Sequence, residues 1–140
     1  MQLKVCCIAS VAEAELALAH GADALGLVSA MPSGPGPIPD HDIACIAHAI
    51  RGRARTFLLT SRTVPRDIAA QVREAGTDTV QLVDTVNEGA LLELRDLLPG
   101  VALVQVIHVR DATALTQARA WAPHVDALLL DSGNPRAAIR

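Results

Sequence analysis

Strand-length apolar runs alternate with one-faced amphipathic segments along this chain, and a glycine-aspartate motif returns at every second unit. Together these observations predict an α/β fold with a parallel sheet, of the (β/α)8 TIM-barrel family. The runs are Leu3 to Ile8, Ala24 to Val28, Arg55 to Leu59, Thr79 to Val83, Val101 to Val109 and Ala127 to Leu130. Being apolar on both faces, they suit strands of a parallel sheet that is covered on both sides. The repeat is Gly21-Ala22-Asp23-Ala24-Leu25-Gly26-Leu27-Val28, echoed by Gly76-Thr77-Asp78-Thr79-Val80-Gln81-Leu82-Val83 and, in shortened form, by Asp126 to Asp131. It makes the second, fourth and sixth strands alike, and alternate strands fill alternate layers inside such a barrel.

The helices between these strands have readable ends. Ser10 followed by Glu13 is a capping box, in which each side chain serves an orphaned backbone N–H. Asp40 precedes Ile43, Ile46, Ala47 and Ile50, an apolar stripe at helical spacing. Pro65 suits the first turn of a helix carrying Ile68, Val72 and Ala75, which Gly76 ends by turning left-handed. Asn87 caps a segment with Leu91, Leu94 and Leu98 before Pro99, and Asp111 caps one through Leu115 and Ala118. This reading yields about six strands and five helices. A complete barrel needs roughly 200 residues or more, whereas the chain has 140. The expectation is therefore one incomplete barrel domain over residues 1–140, holding βα units one to five and strand six.

Composition excludes several classes of function. Phe57 and Trp121 are the only members of the Phe, Tyr and Trp set, and no basic run is present, so a nucleic-acid partner is not expected. The apolar runs are far shorter than the ~20 residues that span a bilayer. The amino terminus lacks the pattern of a secretory signal, and three unpatterned cysteines make no disulfide framework, which points to the cytoplasm. His20, His41, His48, His108 and His124 are scattered without metal-ligand spacing, so no metal is expected. Cys45, on an apolar helix, is expected to be a packing residue. The segment Pro32-Ser33-Gly34-Pro35-Gly36-Pro37 lacks the Gly-Lys-Ser/Thr ending of a phosphate cradle and reads as a rigid surface loop.

Two residues stand out chemically. Lys4, Cys6 and Ile8 share one face of the first strand, because side chains alternate. If that face points into the barrel, Cys6 lies at the strand's carboxyl end, with the charge of Lys4 below it to favour a thiolate. On residue types alone, Cys6 and Cys7 also suit small buried hydrophobes, with Lys4 paired to an interior acid. Asp131 takes the register of Val28 and Val83, so it is ionisable where its sister strands are apolar. Desolvation there favours a neutral carboxyl, which suits a general acid. A helix cap or turn former before Gly133 is the alternative.

The segment Lys4-Val5-Cys6-Cys7-Ile8-Ala9-Ser10, then a helix, then Gly21-Ala22-Asp23-Ala24-Leu25-Gly26, resembles the start of phosphoribosylanthranilate isomerase. That family opens Lys-Ile-Cys-Gly-Ile-Thr, continues Gly-Ala-Asp-Ala-Leu-Gly after its first helix, and ends its sixth strand Leu-Leu-Asp, as in Leu129-Leu130-Asp131. The resemblance implies an Amadori rearrangement in tryptophan biosynthesis, with Cys6 as catalytic base and Asp131 as catalytic acid. It implies a phosphosugar substrate, and chemistry of proton transfer that needs no cofactor. Lys4, Cys7, Arg62, Gln81 and His108 are the candidate substrate-binding residues.

The chain departs from the family pattern in its loops. Cys7 replaces a glycine, the second-strand loop lacks the arginine of Ser-Pro-Arg, and Leu58-Leu59-Thr60-Ser61 and Gln81-Leu82-Val83-Asp84 replace Phe-Val-Asn and Gln-Leu-His-Gly. A phosphate site in this fold class is typically formed after strands seven and eight, so the 140-residue form is expected to show little activity. Exposed barrel edges would favour self-association. A non-catalytic relative that binds a ligand or partner chain, and another phosphosugar isomerase or epimerase, are the alternative readings.

Overall fold

The computed structural model describes residues 1–132. Six parallel strands run in sequence order β1 to β6: Lys4–Val5, Ala24–Val28, Arg55–Thr60, Thr79–Leu82, Ala102–His108 and Ala127–Asp131. Between them lie α1 (Val11–Ala19), α2 (Asp40–Ala49), α3 (Pro65–Ala75), α4 (Glu88–Leu97) and α5 (Thr113–Trp121). The sheet curls into a half-barrel with these five helices. A short 3-10 turn at Ala122–His124, too brief to leave a periodic signal, follows α5. No helix among the described residues is long and apolar enough to cross a membrane.

The helix ends follow the expected chemistry. Ser10 Oγ accepts the Glu13 N–H, and Glu13 reaches back to the N–H of Ala9. Asn87 Oδ1 accepts the Ala90 N–H, and Gly76 closes α3 at φ 66°. Asp111 stands two residues before α5, so that Ala112 and not Asp111 takes the cap position, but it still accepts from the N–H and hydroxyl of Thr113. That contact holds its carboxyl below the usual range, with the Thr113 hydroxyl as the largest cause.

The helices and the outer face of the sheet enclose the core. Leu25, Leu27, Leu58 and Leu82 are fully buried there, against Ile43 and Ile46 of α2, Ile68 of α3 and Leu91 and Leu94 of α4. Burying each such side chain contributes roughly 1.5–3 kcal/mol. β1 is shorter than its apolar run because Cys7 takes φ 60°, which breaks the extended chain. The N–H of Ile8 nevertheless reaches the Gly26 carbonyl at 3.2 Å, so the segment stays beside β2.

The sequence repeat now has a structural meaning. Asp23 accepts the N–H of Leu3, Asp78 accepts that of Thr56 and Asp126 accepts that of Leu103. Each aspartate precedes an even strand and ties down the foot of the odd strand before it. Asp126 also pairs with Arg95 at 2.9 Å. Burial raises the Asp126 carboxyl, but the Leu103 N–H and Arg95 outweigh that and hold it below its ordinary value.

Two outcomes follow from these anchors. Asp78→Ala leaves the buried Thr56 N–H without its carboxylate and is expected to cost about 1 kcal/mol, read as a lower urea midpoint. A carboxyl lowered in the folded state stabilises above its unfolded pKa and loses that contribution as pH falls. Stability is therefore expected to drop below about pH 4, and Asp126→Asn should flatten part of that slope in urea titrations at stepped pH.

Candidate active site

The carboxyl ends of the strands form a mouth, and the strand register decides what meets there. In the β5–β6 ladder His108 stands opposite Asp131. His108 Nε2 lies 3.2 Å from the Val83 carbonyl. A carbonyl only accepts, so assigning the ring proton to Nε2 satisfies this contact and leaves Nδ1 as an acceptor. Nδ1 is buried, has no hydrogen-bond partner among the described residues, and faces Asp131 Oδ2 at 3.5 Å. The imidazole and the carboxyl thus face each other across the ends of β5 and β6, and each restricts the orientation of the other.

Lys4 is held on the concave face. Its ammonium donates to Gln81 Oε1 at 2.5 Å and lies 4.5 Å from the centre of the Phe57 ring. Burial lowers its pKa, while the neighbouring Cys6 and Cys7 act in the opposite direction. Gln81 is itself buried, so these two candidate binding residues hold each other one layer below the mouth.

Cys6 continues the β1 register and lies against Gly26. A Cβ at Gly26 would sit 2.7 Å from the Cys6 sulfur, so only glycine leaves the thiol room there. Cys6 is exposed and Cys7 half-buried. Burial raises the Cys7 thiol, Cys6 raises it further, and Lys4 lowers it. The Pro-Gly loop is more than a surface loop: Pro37 bridges to Val28, Cys7 donates to the Pro35 carbonyl at 3.5 Å, and a Cβ at Gly36 would fall 2.6 Å from that of Cys7.

Arg62 is committed elsewhere. Its guanidinium donates to the Asp67 carbonyl and approaches Asp40 at 3.8 Å, which binds it to the starts of α2 and α3. Asp40 also accepts from Gln71, whose carbonyl oxygen takes the Thr60 hydroxyl, so this network braces the end of β3. Cys45 corrects the sequence expectation of packing. It falls one position off the buried stripe of Ile43, Ile46 and Ala47, is exposed, and lies 3.6 Å from His41 Nε2.

A cleft of about 570 Å³ opens at the mouth between the second-strand loop (Met31 to Ser33), His108, Arg110 and Trp121. Arg110 and Gln105 were missed by the sequence reading. Gln105 is fully buried and donates to the carbonyls of Leu82 and Asp84, fixing the β4 loop that borders the cleft. Arg110 carries a faint signal, an arginine two residues beyond β5. The structure therefore joins His108 to Asp131, Lys4 to Gln81 and Cys6 to Cys7, and places Arg62 with the helices. The proposed turn before Gly133 lies outside the described residues. Among the described residues, no three His, Cys, Asp or Glu side chains converge as a metal site.

Architecture and mouth define an α/β protein of the (β/α)8-barrel type, with ionisable groups at the carboxyl ends of its strands. The chain is a sequence relative of the phosphoribosylanthranilate isomerases. It is 30% identical over 136 residues to the N-(5'-phosphoribosyl)anthranilate isomerase of a Synechococcus strain, covering 97% of this chain and 58% of that protein. Against the Haloferax volcanii isomerase identity is 35%, over 94% of this chain and 58% of the relative. The chain thus spans about three fifths of the length of these curated relatives. Phosphoribosyl anthranilate isomerase from Thermotoga maritima shares the fold with a TM-score of 0.81 at 20% identity, over 98% of this chain and 64% of that one. A phosphoribosyl anthranilate isomerase in complex with reduced 1-(o-carboxyphenylamino)-1-deoxyribulose 5-phosphate superposes with a TM-score of 0.82 at 18% identity, over 94% and 64%. No family model matches the chain.

The left-handed backbone at Cys7 generates a prediction. A non-glycine residue there costs roughly 1–2 kcal/mol. Cys7→Gly is expected to raise the urea midpoint, whereas the β-branched Cys7→Val should lower it, both followed by circular dichroism.

Proposed function

We propose that this chain carries the acid and base of a phosphoribosylanthranilate isomerase, acting as one partial-barrel domain over residues 1–140 in the cytoplasm. The observation that carries this reading is positional. The two residues matching the family's base and acid stand at the carboxyl ends of the first and sixth strands, where active sites of this fold lie. The sequence relation to curated isomerases over nearly the whole chain supports it.

In the proposed reaction the substrate is N-(5-phosphoribosyl)anthranilate. Asp131, protonated, donates to the ribose ring oxygen as the C1–O bond breaks and the anthranilate nitrogen forms an iminium. The Cys6 thiolate then removes the proton from C2, giving an enolamine that tautomerises to the ketose. His108 is the positioning residue: its Nδ1 faces Asp131 Oδ2 and orients the acid. Lys4, below the thiols, supplies the positive charge that a sulfur base requires. The second-strand loop, Met31 to Pro37, offers no arginine to the anthranilate carboxylate. Arg110, which lines the cleft, takes that role in this proposal.

Ketose product is to be quantified by chromatography, with this chain alone and fused to the remaining barrel units of the Synechococcus relative. Turnover in at least the fusion is expected, with Cys6→Ala and Asp131→Asn each lowering it by at least about a hundredfold. Cys7→Ala should retain most of the rate. Turnover in neither form, or a Cys7→Ala loss equal to that of Cys6→Ala, would defeat the assignment.

A further inference from the structure

The adjacent thiols of Cys6 and Cys7 have a property that the isomerase reading does not use. In an extended strand, neighbouring side chains point to opposite faces and two such sulfurs stay apart. Here the left-handed backbone at Cys7 breaks that alternation. Both cysteine side chains line one shallow hollow beside α1, and the Cys7 thiol is held there by the Pro35 carbonyl at 3.5 Å. Gly26 and Gly36 approach the two sulfurs from the other sides, each close enough to leave no room for a methyl group. Cys6 is exposed, so a small oxidant reaches it, while Cys7 is half-buried and waits next to it.

We propose that Cys6 and Cys7 form a redox-active vicinal dithiol that a hydroperoxide closes reversibly to a disulfide. The Cys6 thiolate attacks the O–O bond of hydrogen peroxide, forming a sulfenic acid and releasing hydroxide. The Cys7 thiol then attacks that sulfur, forms the S–S bond and expels water, so that two thiols and one peroxide become one disulfide and two waters. Consecutive Cα atoms are about 3.8 Å apart, below the usual disulfide span of roughly 4.4–6.8 Å. Such a bond is strained and easily reduced, which makes it a reversible mark and not a structural staple. The proposal stands on the geometry of the two thiols and holds whatever reaction the mouth performs.

Free thiols are to be counted in the full chain after stoichiometric hydrogen peroxide, with intact mass and non-reducing electrophoresis alongside. Of the three cysteines, two are expected to be lost with a mass decrease of two hydrogens, without dimer formation, and to return with dithiothreitol. Cys45→Ser should behave the same way. In Cys7→Gly, which keeps the backbone conformation, peroxide should add oxygen to Cys6 instead. Oxygen adducts on Cys6 in the unsubstituted chain, a disulfide to Cys45, or intermolecular dimers would overturn the proposal.

Discussion

Parallel strands pair through evenly spaced, slanted hydrogen bonds, so the ladder itself offers little to choose one register over its neighbour. Three aspartates supply the choice in this protein. Asp23, Asp78 and Asp126 each accept the backbone N–H at the foot of an adjacent odd strand, Leu3, Thr56 and Leu103. A slip by one residue would break these contacts and turn every concave-facing side chain toward the helices. The positions of Lys4 beside Gln81 and of His108 beside Asp131 are consequences of this stagger.

The concave face shows how a curled sheet tolerates polar groups. A lysine taken out of water costs free energy unless it is paired, and Lys4 is satisfied by a buried amide and an aromatic face. Gln81 and Phe57 come from different strands, so this pairing also stitches β1 to β3 and β4. Above it the chain turns sharply at Cys7, and the Pro-Gly loop folds over that thiol. The corner that ends β1 is therefore crowded, strained and rich in sulfur, whereas the end of β6 carries a carboxyl facing an imidazole.

Most of the architecture could be read from residues a few positions apart. Capping pairs such as Ser10 with Glu13, the αL glycine at Gly76 and the apolar stripes of the helices act within one or two turns of chain, so their signals are local. The aspartate repeat and the resemblance at Lys4 to Ser10 were equally legible, as was the count of six strands and five helices found among the described residues. The left-handed turn at Cys7 had one cue, the thiol standing where the resembling family has glycine. Cys45 was misjudged because a helical stripe one residue off register looks the same as the buried face until a neighbouring helix is in place.

The chain's own pattern thus settled the kind and order of the elements, six strands with helices between them, and the residue types available at each strand end. It left open which of those residues meet. Arg62, at the end of a strand, turns to Asp40 and Asp67, while Gln105 turns to the β4 loop, and no local spacing distinguishes those fates. The ion pair of Arg62 with Asp40 and the hydrogen bonds of Gln105 join segments distant in sequence, and such contacts exist once the ladder has set its register. The pairing of His108 with Asp131 and the placing of both adjacent cysteines in one hollow belong to that second level, because each requires a backbone geometry that the full fold imposes.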